Sequence, residues 1–285
     1  MMDARPIRNV SDTALWVAIY RAMESERTDA HFSDPFARRL GGERGEAIVR
    51  AMPNGISMSW PMVVRTAVMD ELLMAAVDAG VGTVLNLAAG LDARPYRLPL
   101  PENLRWWHVD LPDMVEYFQD HMRDESPRCE VEFVAADLRD AEVRRAVISN
   151  AMGRGPVLVI TEGLLIYLEA GQVHDLAQDL HMLGNGTRWM SDLASPRLLK
   201  MLERNWQRNL QQGNAPFLFG PAGNTAFFSP LGWREVTFRS TWDEARRLKR
   251  SMRGASLWQL LSRFQSRTQR EAMRRMSGIM LLEAQ

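Results

Sequence analysis

The chain has 285 residues, 46% of them hydrophobic, and its 35 acidic and 35 basic side chains cancel to a formal charge of zero. That composition allows a sizeable core and excludes a compositionally disordered chain, and the zero balance excludes recruitment to nucleic acid or an anionic membrane by bulk charge. The single cysteine, Cys129, excludes an internal disulfide and a cysteine zinc cluster, and its expected state is an inert thiol.

Length alone allows one large domain or two small ones. The opening stretch MMDARPIRNVSDTALW lacks a basic end followed by an apolar core, so no signal peptide is expected. No run approaches the roughly 18 apolar residues of a membrane span. A soluble, cytoplasmic protein is the expectation.

Residues 1–79 read as helical. Ser11 or Asp12 is placed to cap a helix through TALWVAIYRAMESER. SDPFARRLGG offers Ser33 and Asp34 as cap residues, Pro35 at a first helical position and glycines as a stop. SWPMVVRTAVMDELLMAAVDAG is a long amphipathic pattern that ends at Gly80 and Gly82. The pattern then changes. Short runs with strand character occupy 83–89, 104–110, 131–137, 156–162 and 187–193, and helical stretches occupy 112–123, 139–150 and 170–183. Alternation of this kind predicts an α/β fold, a parallel sheet with helices on both faces. WREVTFRS (233–240) and SGIMLLEA (277–284) read as two more strands, the second after a basic helical stretch, 242–275. Residues 195–230, rich in Gly, Pro and Phe towards their end, read as a lid or substrate insert.

In open parallel sheets, ligands bind beyond the carboxyl ends of the strands. The first strand here runs into Ala88, Ala89 and Gly90. The second ends at Asp110, the third at Asp137 and Leu138, the fourth at Thr161, Glu162 and Gly163. Each acid alone also fits a helix N-cap. Acids at three strand ends together fit a ligand rich in hydrogen-bond donors, because a buried unpaired carboxylate is costly. Asp110 follows Gly90 at the offset of an acid that accepts from two ribose hydroxyls. Asp137 suits an adenine amino group, with Leu138 beside it. An adenosine derivative follows, either a nicotinamide dinucleotide or S-adenosylmethionine. A pyrophosphate favours G-x-G-x-x-G, yet only Gly90 is glycine, and Asp92 would repel a pyrophosphate. Asp92 is tolerable near a sulfonium and an amino group. The methionyl carboxylate wants a fixed cation, for which Arg65 is the candidate.

These segments together resemble the leucine carboxyl methyltransferase family, S-adenosylmethionine-dependent enzymes that include a methylase of a protein phosphatase C-terminus and bacterial polyketide carboxyl O-methyltransferases. The resemblance is carried by TALWVAIYRAMESERTDAHFSDPFARRLGG, VVRTAVMDELL, VLNLAAGLDARPYRL, WWHVDLPDMVEYF, VAADLRD, TEGLLIYL, Gly232-Trp233 and MSGIMLLE. It implies the Rossmann-like class I methyltransferase fold, a seven-stranded, mostly parallel sheet with its last strand inserted antiparallel and an N-terminal helical cap. It implies one methyltransferase domain over 1–285, with a cap (1–79), a cofactor-binding core (80–194), the lid or insert (195–230) and C-terminal strands and helix (231–285). It also implies cofactor contacts from Arg65, Ala89, Gly90, Asp110, Leu111, Asp137, Leu138 and Glu162. Ala88 departs from the family's usual glycine, and Ala93 from its frequent threonine.

The expected reaction is in-line methyl transfer to an oxygen of a small, natural-product-like acceptor, as in secondary metabolite biosynthesis. A carboxylate acceptor, with a pKa near ~4, needs no general base, whereas a hydroxyl usually does. Five histidines are present, none at metal-ligand spacing with another, so no metal is expected. His108 reads as a core residue, and no base stands out. Tyr20, Arg21, Trp60 and Tyr167 are the acceptor-side candidates. Trp206, Trp233, Trp242 and Trp258 either line an aromatic pocket or fill the core. Three rivals stay open: a protein C-terminal carboxyl methyltransferase, an NAD-dependent oxidoreductase and a non-catalytic nucleoside-binding protein.

Overall fold

The computed structural model describes residues 11–52, 55–152, 155–202, 204, 216–252 and 266–285. Trp206 and Trp258 lie outside them, as does part of the 195–230 insert. Three helices come first: α1 (Ser11–Ser25), α2 (Ala37–Ala51) and α3 (Trp60–Asp78). The glycines of the second segment do not stop its helix. Gly42, at φ 55°, kinks it, and the helix resumes to Ala51. Gly41 and Gly45 serve close packing instead. A Cβ on Gly45 would lie 2.7 Å from the Leu15 carbonyl oxygen, and one on Gly41 2.6 Å from Ile19 Cδ1, so α1 crosses α2 where side chains are missing.

Seven strands follow: β1 (Thr83–Leu87), β2 (Arg105–Asp110), β3 (Glu130–Ala135), β4 (Val157–Thr161), β5 (Arg188–Ala194), β6 (Trp233–Ser240) and β7 (Ser277–Ala284). They form one sheet in the order β3-β2-β1-β4-β5-β7-β6. β1 to β5 are parallel, and β7 runs antiparallel between β5 and β6. Helices α4 (Arg94–Arg97), α5 (Pro112–Met122), α6 (Ala141–Asn150) and α7 (Ala170–His181) lie between the parallel strands. The central strands read as unbroken apolar runs because both faces are covered. Leu85, Trp107 and Val159 pack with Val147, Val173 and Leu180 on one face, while Val84, Trp106 and Leu158 pack with Val64, Val68 and Leu73 on the other. Trp233 is part of the first core and 1% exposed, so of the expected alternatives it fills the core. Cys129 is buried, and burial pushes its thiol up to about 11, away from thiolate chemistry.

Strand register lines up the carboxyl ends. Leu87 stands beside Val109, Asp110 beside Ala135, and Thr161 beside Ser191. The residues that follow Leu87, the acids Asp110, Asp137 and Glu162, and Asp192 on β5 therefore share one edge of the sheet.

Candidate functional site

β1 ends sooner than its apolar run implies, at Leu87, because Ala88 adopts φ 53°. Gly90 has the same φ. Between them, Ala89 donates its N–H to the Val109 carbonyl at 3.0 Å, which ties the turn to β2. The left-handed conformation costs a residue with a Cβ roughly 1–2 kcal/mol, against roughly 0.5–1 kcal/mol of extra chain entropy lost by glycine. Strain outweighs entropy at position 88. Ala88→Gly is expected to raise the melting temperature by about 2 °C in a thermal melt; a lower value would show that the turn is not strained there.

Asp110 organises this turn. Its Oδ2 accepts the Gly90 N–H at 2.6 Å and its Oδ1 accepts the Leu111 N–H at 2.7 Å. Burial pushes its carboxyl up, and the two N–H groups oppose that. An ionised carboxylate has about four lone-pair sites, so two remain for a ligand's vicinal hydroxyls. A Cβ on Gly90 would lie 3.3 Å from Ala14 Cβ, so α1 rests directly over the turn.

Beyond the turn lies a chain of buried arginines and carboxylates. Arg94, 2% exposed, donates through Nε to Asp70 at 2.7 Å and through Nη1 to Asp92 at 2.7 Å and Glu162 at 2.8 Å. Arg97 grips both oxygens of Asp70 at 2.7 Å. Asp92 also accepts from the Asn86 amide at 2.9 Å. Its charge is thus neutralised inside the protein rather than offered to a ligand, which corrects the expectation that Asp92 itself repels a pyrophosphate. Arg65 Nε lies 2.9 Å from Glu162 Oε1, and its Nη1 donates to Asp192 at 3.3 Å. Burial alone would push Glu162 up; Arg94 and Arg65 outweigh it and hold the carboxyl at about 2. Asp70, Arg94 and Asp192 were not singled out from the sequence. The available signal was an acid, Asp70, within the apolar helix that carries Arg65, and two arginines three positions apart in DARPYR.

Asp137 and Leu138, expected at an adenine, stand on the same edge, held by the Ala136 N–H donating to the Asp110 carbonyl at 2.8 Å. Asp137 accepts from Arg139 through the backbone N–H at 3.0 Å and through Nη2 at 2.6 Å, and these bonds pull its carboxyl below the usual range. Its side chain remains 40% exposed. Leu138 is half-buried against the core, with its carbonyl accepting from Arg144.

Polar atoms of two acceptor-side candidates are occupied elsewhere. The Tyr20 hydroxyl donates to the Gly55 carbonyl at 2.7 Å in a helical cluster with Trp16 and Ile48, where burial pushes it up to about 12. Arg21 is 8% exposed and donates to Asp34 at 2.8 Å and to the Leu91 carbonyl at 2.6 Å. Both therefore act in joining α1 to its neighbours. Trp60 is half-buried at the start of α3 and packs on the second core. Tyr167 stays near the site. It lies on the turn after β4, its hydroxyl bonded to Thr13 and its ring 5.7 Å from Phe217, and burial pushes its hydroxyl up from the usual range.

His108 is fully buried, stacked on Phe118 at 4.6 Å, with Nε2 3.3 Å from the Gly90 carbonyl. Burial pushes it down to about 4. Its neutral form stabilises the fold above the unfolded pKa near 6.5, and that contribution, up to about 3 kcal/mol, is lost as pH falls from 6.5 towards 4. His108→Phe is expected to flatten the fall in melting temperature over that window; an unchanged profile would reject the assignment.

Among the described residues no group of three or more His, Cys, Asp or Glu side chains is placed to hold a metal, and no helix is long and apolar enough to cross a membrane. The groove lined by Arg105, Trp107, Glu130 and Glu132 lies at the opposite, amino-terminal edge of β2 and β3.

The strand order with its single antiparallel insertion is the Rossmann-like fold of class I methyltransferases. The family model for leucine carboxyl methyltransferase matches residues 14–181, and the chain belongs to that family. A Parafrankia protein, provisionally named an S-adenosyl-L-methionine-dependent methyltransferase, is 34% identical over 184 residues, 61% of this chain; the match spans 59% of that relative's length. A Frankia alni protein with the same provisional name is 30% identical over 240 residues, 79% of this chain and 83% of its own. The crystal structure of a Thermobifida fusca protein, provisionally named a methyltransferase, superposes with a TM-score of 0.60 at 14% identity, over 98% of this chain and 96% of that one. At that identity the likeness is one of fold.

Proposed function

We propose that this chain is an S-adenosylmethionine-dependent O-methyltransferase acting on a carboxylate or hydroxyl of a small, natural-product-like acceptor. The observation that carries the reading is Asp110, whose carboxylate fixes Gly90 and Leu111 and keeps acceptor capacity for a ribose diol. Electrostatics agree. Asp34, Asp70, Asp92, Glu162 and Asp192 are interleaved with Arg21, Arg65, Arg94 and Arg97, so the network as a whole holds one more acid than arginines before Asp110 is counted. Such an edge opposes a pyrophosphate and favours a ligand with a sulfonium and an ammonium. The same balance weighs against a dinucleotide oxidoreductase.

Each residue then has a task. Asp110 and Leu111 hold the ribose, Asp137 and Leu138 the adenine, Ala89 and Gly90 give the methionyl chain room, and Arg65 with Glu162 takes its carboxylate and ammonium. In-line transfer asks the protein mainly for alignment and exclusion of water. Bound S-adenosylmethionine supplies the electrophilic methyl group. His108, stacked in the core with its pKa pushed down, is no base for an acceptor hydroxyl, so a carboxylate acceptor fits better. Residues 80–194 form the cofactor core in this proposal, 1–79 the cap and 195–230 the lid or insert.

S-adenosylhomocysteine at a hundred times its Kd is expected to stabilise the protein by about 2.7 kcal/mol, a melting shift of about 5 °C or more, and NADH to give none. A shift with NADH alone would reject the proposal, and no shift with either would favour a degenerate binding protein. Radioactive methyl transfer into small organic acids of an extract, rather than into macromolecules, is the outcome expected over a protein-tail methylase.

A further inference from the structure

Asp192 is an acid at this edge that none of the tasks above uses. It lies near the end of β5, one residue past Ser191, the partner of Thr161. Its Oδ1 accepts the Gly163 N–H at 2.6 Å, and its Oδ2 accepts from Arg65 Nη1 at 3.3 Å. Gly163, at φ 68°, runs close under the guanidinium: a Cβ there would lie 3.2 Å from Arg65 Nη1. Glu162 lies against Nε of the same arginine at 2.9 Å. The guanidinium is therefore fixed from two strands. Neither ion pair engages Nη2.

An arginine on a helix has several rotatable bonds, and one ion pair leaves its plane free to turn. The Asp192 hydrogen bond at Nη1 restrains that plane, Glu162 holds the charge from beside Nε without hydrogen-bonding it, and Nη2 is left for a third carboxylate. Fixing a side chain before the ligand arrives removes an ordering cost from binding. We propose that Asp192 is a positioning residue: it holds Gly163 and aims Arg65, so that the amino-acid half of the methyl donor is taken in one orientation. The proposal rests on the S-adenosylmethionine reading of the site.

Binding of S-adenosylhomocysteine and of 5′-methylthioadenosine tests it by titration calorimetry. The second ligand keeps the adenosine and thioether and lacks the amino-acid carboxylate and ammonium. Asp192→Ala is expected to weaken S-adenosylhomocysteine by about tenfold or more, the scale of a lost charge-assisted bond, and to change 5′-methylthioadenosine less than about twofold. Asp192→Asn keeps the shape and an acceptor for Gly163, so it guards against a fold defect and is expected to fall between the native protein and Asp192→Ala. In an Arg65→Met background, Asp192→Asn is expected to add no further loss. Equal loss for both ligands would make Asp192 merely structural and overturn the proposal, as would no loss for either. Losses that add in the double variant would mean that Asp192 meets the ligand directly, which also overturns it. If the native protein binds neither ligand, the donor reading itself fails.

Discussion

Asp110→Ala is expected to abolish the S-adenosylhomocysteine-induced rise in melting temperature while the protein still melts cooperatively. Two effects add. The variant loses both acceptors for the proposed ribose diol, and it frees the Gly90 and Leu111 N–H groups that shape the turn. Hydrogen bonds to a charged group contribute about 1.5–3 kcal/mol each, so losing two lowers affinity by roughly a hundredfold or more. Asp110→Asn is expected to fare little better. One amide oxygen replaces one acceptor, but the amide nitrogen must face the other backbone N–H, donor against donor. A native-like ligand shift in either variant, measured by differential scanning fluorimetry and confirmed by calorimetry, would remove the central support for the proposed function.

Arg94→Met is expected to lower the melting temperature by about 10 °C at neutral pH, the largest single-residue effect outside the central core. Arg94 meets Asp70, Asp92 and Glu162 at once and is 2% exposed. After the change Asp70 keeps Arg97 and Glu162 keeps Arg65, but Asp92 loses its arginine and keeps two neutral donors, the Asn86 amide and the backbone N–H of residue 94. Removing one partner from a buried ion pair costs about 3–5 kcal/mol, and a domain of this size loses roughly 2–4 °C per kcal/mol. Arg94→Lys is expected to rescue part of the loss, because a point charge cannot span three carboxylates. The pH dependence gives the signature. Glu162 has its pKa lowered from 4.5 to about 2, so its contribution is complete above about pH 5 and is lost as pH falls through 4.5 towards 2. The gap between native and Arg94→Met should therefore close as the pH is lowered below about 4. A gap that persists at low pH would assign the loss to packing rather than charge.

Much of this organisation is local and was legible in the chain. All seven strands fall within two residues of their expected runs at each end, and β1 stops two residues short because Ala88 turns left-handed. The strand-end acids were legible because a ligand crevice in such a sheet recurs at one place, and register brings Asp110, Asp137 and Glu162 to one edge. Less was legible where a side chain's partner is distant. Arg94 meets an acid 24 positions away and another 68 positions away. Tyr20 and Arg21 had plausible chemistry for an acceptor, yet Gly55, Asp34 and Leu91 claim their polar atoms. The glycines after Leu40 looked like a stop, and packing against α1 made them a contact surface.

Hydrophobic periodicity and turn residues act over a few positions, so the amino-acid order by itself determined the succession of helices and strands and the acids at the strand mouths. Which charges are cancelled and which stay available was decided only by the tertiary structure. Ion pairing depends on separation and desolvation, and for Arg65, Arg94, Glu162 and Asp192 both are set by the order and register of the sheet.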